Sequence, residues 1–315
     1  MRNYISMMRL DHWHKNLFAV PGILAAWKYH ELNLLDLRTY AIACLALLIC
    51  SLTSSVNYII NELLDAKHDQ FHPVKHKRPA AQAQIKLPIA IGLIATLLVG
   101  IFTVSIKCLP ATFTYCIVAF LVSGLFYNVP PIRLKDVPFL DTIVESFNNP
   151  VRLALGWFCY GGTVLPPSTA LIAYWCLGGF MMTAKRFAEY SVFEEEHKRE
   201  LYRKSFKVYT KERLINYILF WVSLFSSMFG IFVVRINMNA ILVFPFVSGF
   251  FVWYMKLAFE SDSIVKDPEK VFKKPLFFLY SLSVFAAIVA ILFLGDRLTI
   301  LNWLKESDSF IILGE

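Results

Sequence analysis

Three oxygen-bearing side chains recur at helical spacing where a long apolar run ends. Ala41 to Ile60 carries no charge and passes directly into Asn61, Glu62, Asp65 and Asp69. On an α-helix Asn61, Asp65 and Asp69 stand at i, i+4 and i+8, so their side chains form one stripe that drifts by roughly 40° per step. A basic segment follows, His72-Pro73-Val74-Lys75-His76-Lys77-Arg78-Pro79. Hard cations such as Mg²⁺ take oxygen ligands and are commonly held by one or two carboxylates, with substrate phosphate oxygens and water completing the shell. Loss of a diphosphate leaving group concentrates negative charge on the departing oxygens, which a metal and neighbouring cations neutralise. The stripe therefore suits a metal-diphosphate site, with Asn61, Asp65 and Asp69 as metal ligands, Glu62 secondary, and Lys75, Lys77 and Arg78 supplying positive charge. The competing explanation is a solvated helix end. Three groups in register beside a basic loop weigh against it, although His72 and His76 taken singly read as ordinary polar residues.

A second polar face lies further along. Asp141, Glu145, Asn148 and Arg152 fall at i, i+4, i+7 and i+11 of an otherwise apolar segment. Polar faces inside membranes usually line cavities; interhelical hydrogen bonding is the alternative.

The elements that must position these residues are membrane helices. Hydrophobic residues make up 57% of the 315 and charged residues 17%, a balance far from that of soluble proteins. Apolar runs of spanning length can be placed at about 17–36, 39–60, 87–106, 110–127, 139–160, 168–184, 214–235, 239–259 and 276–294. The expected fold is an all-α, polytopic bundle of about nine transmembrane helices, forming a single domain over 1–315. Pro21-Gly22 interrupts the first run, and the fifth is weakened by its own polar face. With the N-terminus inside, the inner segments collect roughly 24 Lys and Arg and the outer ones roughly 6, which places Asn61–Asp69 and Arg133–Asp141 on the cytoplasmic side. Cytoplasmic loops are expected at about 66–86, 128–138 and 184–213. The last of these, with Glu194-Glu195-Glu196 among Lys and Arg and with Phe187, Phe206 and Tyr209 between them, reads as an amphipathic helical cap.

The net charge of +8 is accounted for by positive inner loops facing anionic lipid, so no nucleic-acid partner is implied. The first hydrophobic run lacks a small-residue cleavage site and is expected to be retained as a helix. Cys44, Cys50, Cys108, Cys116, Cys159 and Cys176 are scattered without a CxxC pair and read as small buried hydrophobes.

Asn61-Glu62-Leu63-Leu64-Asp65-Ala66-Lys67-His68-Asp69 resembles the NDxxDxxxD motif of the UbiA superfamily of membrane prenyltransferases, with Glu62 in place of the usual Asp. Within that superfamily the pattern is similar to the decaprenyl-phosphate phosphoribosyltransferases. Arg9-Leu10-Asp11-His12-Trp13-His14-Lys15-Asn16 resembles their RPxQWxKN segment, and His72-Pro73 with Lys75, Arg78 and Pro79 their HPxKxxRP. Tyr127, Leu134-Lys135, Val137-Pro138 and Asp141 resemble YSxxLKxxPxxD, Arg152 falls at the FxxR element, and Lys185-Arg186-Phe187-Ala188-Glu189 resembles KRYAE. Asn148-Asn149-Pro150 and Leu155-Gly156-Trp157 depart from the small residues and glycines more usual there.

The resemblance implies a nine-helix bundle with a lateral lipid opening, embedded in the cell inner membrane with its active site facing the cytoplasm. It implies Mg²⁺-dependent transfer of a 5-phosphoribosyl group from phosphoribosyl diphosphate to a polyprenyl phosphate, for the cell envelope. Asp65, Asp69 and Asp141 would then be catalytic. Asn61, Lys15, Lys75, Lys77, Arg78, Tyr127, Lys135, Arg152, Lys185 and Arg186 would contact substrate, while Asn61, Glu62, Asp65 and Asp69 would face the metal. Asp141 is left between ribose hydroxyls and a second metal. Without the resemblance, Lys15 and Trp13 read as a snorkelling side chain and an interfacial anchor. A donor with a diphosphate and a 5-phosphate, meeting an acceptor phosphate, calls for cations on several helices. The alternative, a UbiA-type prenyltransferase acting on an aromatic or lipid acceptor, calls for fewer. A transporter fits less well, because its sites lie near the midplane. A homo-oligomer is compatible with the sequence.

Overall fold

The helix that carries the acidic stripe is also the longest. In the computed structural model, which describes residues 2–70, 75–192, 199, 202–236, 238–260, 263–266 and 273–294, this helix is α3, Leu37–Asp69. It follows a short α1, Arg2–Met7, a 3-10 segment Leu10–Ala19 and α2, Val20–Tyr29. Then come α4, Leu87–Cys108, α5, Ala111–Asn128, α6, Leu140–Phe158, and α7, Ser168–Val192. The remaining long helices are α8, Lys211–Ile236, α9, Phe244–Phe259, and α10, Pro275–Leu294. The described residues contain no strand.

Five helices among the described residues are long and apolar enough to cross a membrane: Leu37–Lys67, Leu87–Cys108, Ala111–Asn128, Lys211–Val233 and Ile241–Phe259; Pro275–Ile291 is apolar but shorter. Helices also stand at the other expected spans, with α6 carrying Asp141, Glu145 and Arg152. The first expected span, 17–36, ends earlier, at Tyr29. Pro21 lies in the first turn of α2, where a missing backbone N–H costs nothing, and Glu31 takes a left-handed backbone that stops the helix. At the other extreme α7 runs on to Val192, because Phe187, Ala188 and Tyr190 are buried. The loop expected from 184 is correspondingly shorter, and its Glu194-Glu195-Glu196 run lies outside the described residues.

The chain forms two compact units, Met1–Pro166 with Phe193–Thr210, and Pro167–Val192 with Lys211–Glu315. In the first, Ile49, Cys50 and Val56 of α3 pack with Phe113, Ile117 and Phe120 of α5 and Val151 and Leu155 of α6. A smaller cluster, Met7, Ile59 and Ala80, fixes α1 and the basic loop to α3. In the second unit the core is aromatic, with Phe180, Phe225, Phe251 and Tyr254 meeting at ring spacings of 4.7–5.4 Å.

The crossing of α2 with α6 is the tightest feature of the first unit. A Cβ on Gly22 would collide with the Leu153 carbonyl, and one on Gly156 with the Ala19 carbonyl. Two glycines facing opposite backbones allow a close approach of the kind small residues give membrane helices. Gly156→Ala is therefore expected to lower the unfolding stability of the detergent-solubilised protein by about 1–3 kcal/mol. Gly100→Ala, where nothing lies within 4 Å of the added Cβ, is expected to leave it unchanged or raise it slightly.

Candidate active site

The end of α3 presents its carboxylates to separate cations. Asp65 Oδ1 accepts from Arg133 Nη2 and Lys135 Nζ, each at 2.7 Å. Lys135 also donates to Asn128 Oδ1 at 3.1 Å, and Asn61 Nδ2 donates to the same oxygen. One stripe residue and one loop lysine thus share the Asn128 amide at the foot of α5. Arg133 takes a left-handed backbone at the head of a short 3-10 turn, Leu134–Asp136, which aims Arg133 and Lys135 together at Asp65. Asp69 Oδ2 accepts from Arg78 Nη1 at 2.6 Å. Glu62 is turned elsewhere: it accepts from the Ala80 backbone N–H at 3.3 Å and faces Arg9 Nη2 at 3.7 Å. Arg9 in turn lies over the Tyr58 ring, 5.3 Å from its centroid.

These cations are held at an electrostatic cost. Burial pushes the Lys135 ammonium below its ordinary value, and the Asp65 charge only partly offsets this. Burial, reinforced by Arg78, lowers Arg9 in the same sense, with Glu62 opposing. Burial alone would raise the Asp136 carboxyl, but Lys204 and Arg133 outweigh it and hold it below the usual carboxylate range.

The residues on the polar face of α6 bind separate partners. Asp141 is 0% exposed, accepting from Tyr209 Oη at 2.5 Å and Arg203 Nη1 at 2.9 Å. Tyr209 Oη accepts from the Phe139 backbone N–H at 2.8 Å, and Lys204 reaches Asp136 at 3.0 Å. Residues 203–209 are thereby strapped to the loop that carries Arg133 and Lys135. Glu145 accepts from Tyr127 Oη at 2.9 Å. Arg152 Nε donates to Asn16 Oδ1 at 3.0 Å.

The structure thus brings Asn61, Asp65 and Lys135 together, pairs Asp69 with Arg78, and places Glu62 in a separate pairing with Arg9. Lys15 Nζ stands 3.1 Å from His12 Nδ1, and Trp13 Nε1 donates to Ser55 Oγ at 3.0 Å. Lys75 and Lys77 lie on a short 3-10 turn; His72 and Pro73 lie outside the described residues. Lys185 and Arg186 belong to the second unit, where buried Arg186 pairs with Glu189 at 2.9 Å. Sequence reasoning assigned no part in the site to Asn128, Arg133, Asp136, Arg203 or Tyr209. The available signal was the basic pair Arg133 and Lys135 in one short loop directly after Tyr127-Asn128.

The donors on the stripe are all oxygens, which suits a hard divalent cation. Among the described residues no three His, Cys, Asp or Glu side chains converge on one point. A cation here would therefore take part of its shell from substrate oxygens and water, as Mg²⁺ commonly does.

The model of the UbiA prenyltransferase family matches residues 17–282. The chain belongs to this family, whose members its helical fold and apolar spans resemble. It is 24% identical over 209 residues to the decaprenyl-phosphate phosphoribosyltransferase of Corynebacterium glutamicum, covering 65% of this chain and 59% of the relative. It is 27% identical over 217 residues to the protein of the same name from Mycolicibacterium smegmatis, covering 67% and 63%. The chain thus spans about three fifths of the length of these curated relatives. Among solved structures, a UbiA homologue from Archaeoglobus fulgidus bound to GPP and Mg²⁺ superimposes with a TM-score of 0.66. That match has 16% identity and covers 90% of this chain and 99% of the homologue, a likeness of fold.

Two outcomes test the geometry. Asp65→Asn leaves Lys135 without its acid, while Arg133 keeps only Asp136, and is expected to cost about 3–5 kcal/mol of stability; adding Lys135→Met should recover part of it, read as the coupling in a double-mutant unfolding cycle. Asp136 titrates lower in the folded chain than the ordinary aspartate value of 3.8, so its pairs stabilise the fold above that value and are lost as pH falls through the folded one. Acid unfolding of Asp136→Asn should accordingly depend less steeply on pH below about 4.

Proposed function

We propose that the protein transfers a 5-phosphoribosyl group from phosphoribosyl diphosphate to a polyprenyl phosphate, in a Mg²⁺-dependent reaction at the cytoplasmic face of a cell inner membrane. The observation that carries this reading is an excess of positive charge at the acidic stripe. Arg9, Arg78, Arg133, Lys135 and Lys204 surround Glu62, Asp65, Asp69 and Asp136, five cations to four acids among the described residues. A diphosphate, a 5-phosphate and an acceptor phosphate call for such an excess, and the names of the two curated relatives support the same choice of donor and acceptor.

Mg²⁺, held by Asn61, Asp65 and Asp69, would supply charge neutralisation at the departing diphosphate. Lys135, Arg133 and Arg78, already fixed against the same carboxylates, stabilise the negative charge that grows on those oxygens. Lys75 and Lys77 extend the basic wall. The anomeric carbon gains positive character as the bond to the diphosphate lengthens, and catalysis then rests on holding the acceptor oxygen in line. Lys15, Tyr127 and Arg152 are assigned to binding the two substrates, and Lys185 and Arg186 to substrate contact from within the second unit. Asp141 is assigned to the ribose end; its bonds to Tyr209 and Arg203 make it the anchor of the 203–209 strap, so that contact with a sugar requires the strap to shift. Glu62, committed to Ala80 and Arg9, is assigned a positioning role at the edge of the metal site. In this reading the whole chain works as one membrane domain.

A second reading is favoured by one observation, the fold shared with the GPP-bound homologue: transfer of a prenyl group from a prenyl diphosphate to an aromatic or lipid acceptor. Purified full-length protein with Mg²⁺ separates the two. Labelled phosphoribosyl diphosphate with polyprenyl phosphate is expected to give lipid-linked phosphoribose and free diphosphate, whereas product only from prenyl diphosphate with 4-hydroxybenzoate contradicts the proposal. Asp65→Ala and Asp69→Ala are each expected to lower the rate by about 100-fold or more.

A further inference from the structure

Arg152 is a buried charge held by neutral groups alone among the described residues. It is 8% exposed and lies eleven residues beyond Asp141 on α6, about 16 Å deeper at 1.5 Å per residue. Its guanidinium donates from Nε to Asn16 Oδ1 at 3.0 Å and from Nη1 to Asn149 Oδ1 at 3.4 Å, and lies over the Phe120 ring at 4.8 Å. All three partners are neutral. Among the described residues no carboxylate is in ion-pair contact with it, for Glu145, the nearest acid along the helix, binds Tyr127. Every other buried cation of this unit described above has an acid beside it. Leaving a guanidinium inside a helical bundle without an anion is expensive, which implies that an anion joins it in the working protein.

The surroundings are built to hold the guanidinium still. Asn16, 2% exposed, accepts on Oδ1 from Arg152, from Ser54 Oγ at 2.9 Å and from Cys50 Sγ at 3.5 Å, while its Nδ2 donates to Ser51 Oγ at 3.1 Å. With Nε committed, the remaining edge of the planar fork is fixed in direction, the arrangement that suits a multi-oxygen anion. One turn back on α6, Asn148 has a buried Oδ1 with no hydrogen-bond partner; rotating that amide presents its NH₂ as a donor instead. The guanidinium fork and the turned Asn148 amide together offer several donors, which suits the three oxygens of a phosphate monoester better than the two of a carboxylate.

We propose that Arg152, clamped by Asn16, forms a second phosphate subsite that takes a phosphate monoester without a metal. It lies about 16 Å along α3 from Asp65, measured from Ser54. The inference rests on the proposed reaction, which brings two monoesters to the protein, the lipid phosphate of the acceptor and the 5-phosphate of the donor.

Full-length protein in nanodiscs, with EDTA present, is titrated with farnesyl phosphate in one arm, ribose 5-phosphate in another and 4-hydroxybenzoate in a third. Wild-type protein is expected to bind one of the monoesters, and the arm that binds identifies which source the subsite serves. Asn16→Asp is isosteric and sets a carboxylate against the guanidinium, so it is expected to weaken that binding by about 30-fold or more. Arg152→Lys keeps the charge, loses the fork and weakens it less. Inorganic diphosphate with Mg²⁺ reports on the Asp65 end and is expected to bind wild type and Asn16→Asp alike, which also shows that the variant is folded. Monoester binding that is absent from wild type, or unchanged in both variants, overturns the subsite, as does Arg152-dependent binding of 4-hydroxybenzoate alone. If diphosphate binding survives in those cases, the metal-diphosphate site stands; if wild type fails to bind diphosphate, that site falls as well.

Discussion

Asp65 receives two cations on one oxygen, and the architecture of the first unit turns on that contact. A carboxylate at the end of an apolar helix is tolerable only when its charge is compensated. The compensation comes from a loop 68 residues away in sequence, through Arg133, so the pairing ties α3 to the segment between α5 and α6. Arg133 passes the connection to Asp136, Asp136 to Lys204, and Asp141 to Arg203 and Tyr209. The acidic stripe, the loop after α5 and the 203–209 strap are held by one chain of charge-assisted bonds.

That chain gives the proposed chemistry its setting. The cations that would stabilise a departing diphosphate are oriented before any substrate arrives, which is the condition under which electrostatic stabilisation is most effective. Arg152 stands apart from the chain, one turn before Gly156 on α6, where the 3-10 segment leading into α2 comes close enough for Asn16 to reach the guanidinium. The two polar faces of the sequence thus serve different purposes: the one on α3 is saturated with cations, and the one on α6 ends in a cation with no acid beside it among the described residues.

Much of this was legible from local pattern. The stripe of Asn61, Asp65 and Asp69 follows from helical periodicity alone, and the apolar runs placed the helices. What escaped was decided by partners distant in sequence. Glu62 sits within the motif, yet its direction is set by Ala80 and Arg9, which periodicity does not reveal. Arg133 looks like one more basic loop residue until its left-handed backbone aims it at Asp65. Pro21-Gly22 resembles an interruption, whereas the proline occupies a first turn and the glycine a helix crossing. The continuation of α7 past residue 184 is driven by burial of Phe187, Ala188 and Tyr190 among residues whose charges resemble a loop.

The central claim is that the cation-lined end of α3 is built for a heavily phosphorylated donor. Equilibrium binding of labelled phosphoribosyl diphosphate to the full-length protein, with and without Mg²⁺ and in competition with geranyl diphosphate, tests it most directly. The account predicts saturable binding that strengthens with Mg²⁺ and yields to geranyl diphosphate only at large excess. Displacement by equimolar geranyl diphosphate, or no binding of phosphoribosyl diphosphate at any Mg²⁺ concentration, would contradict it.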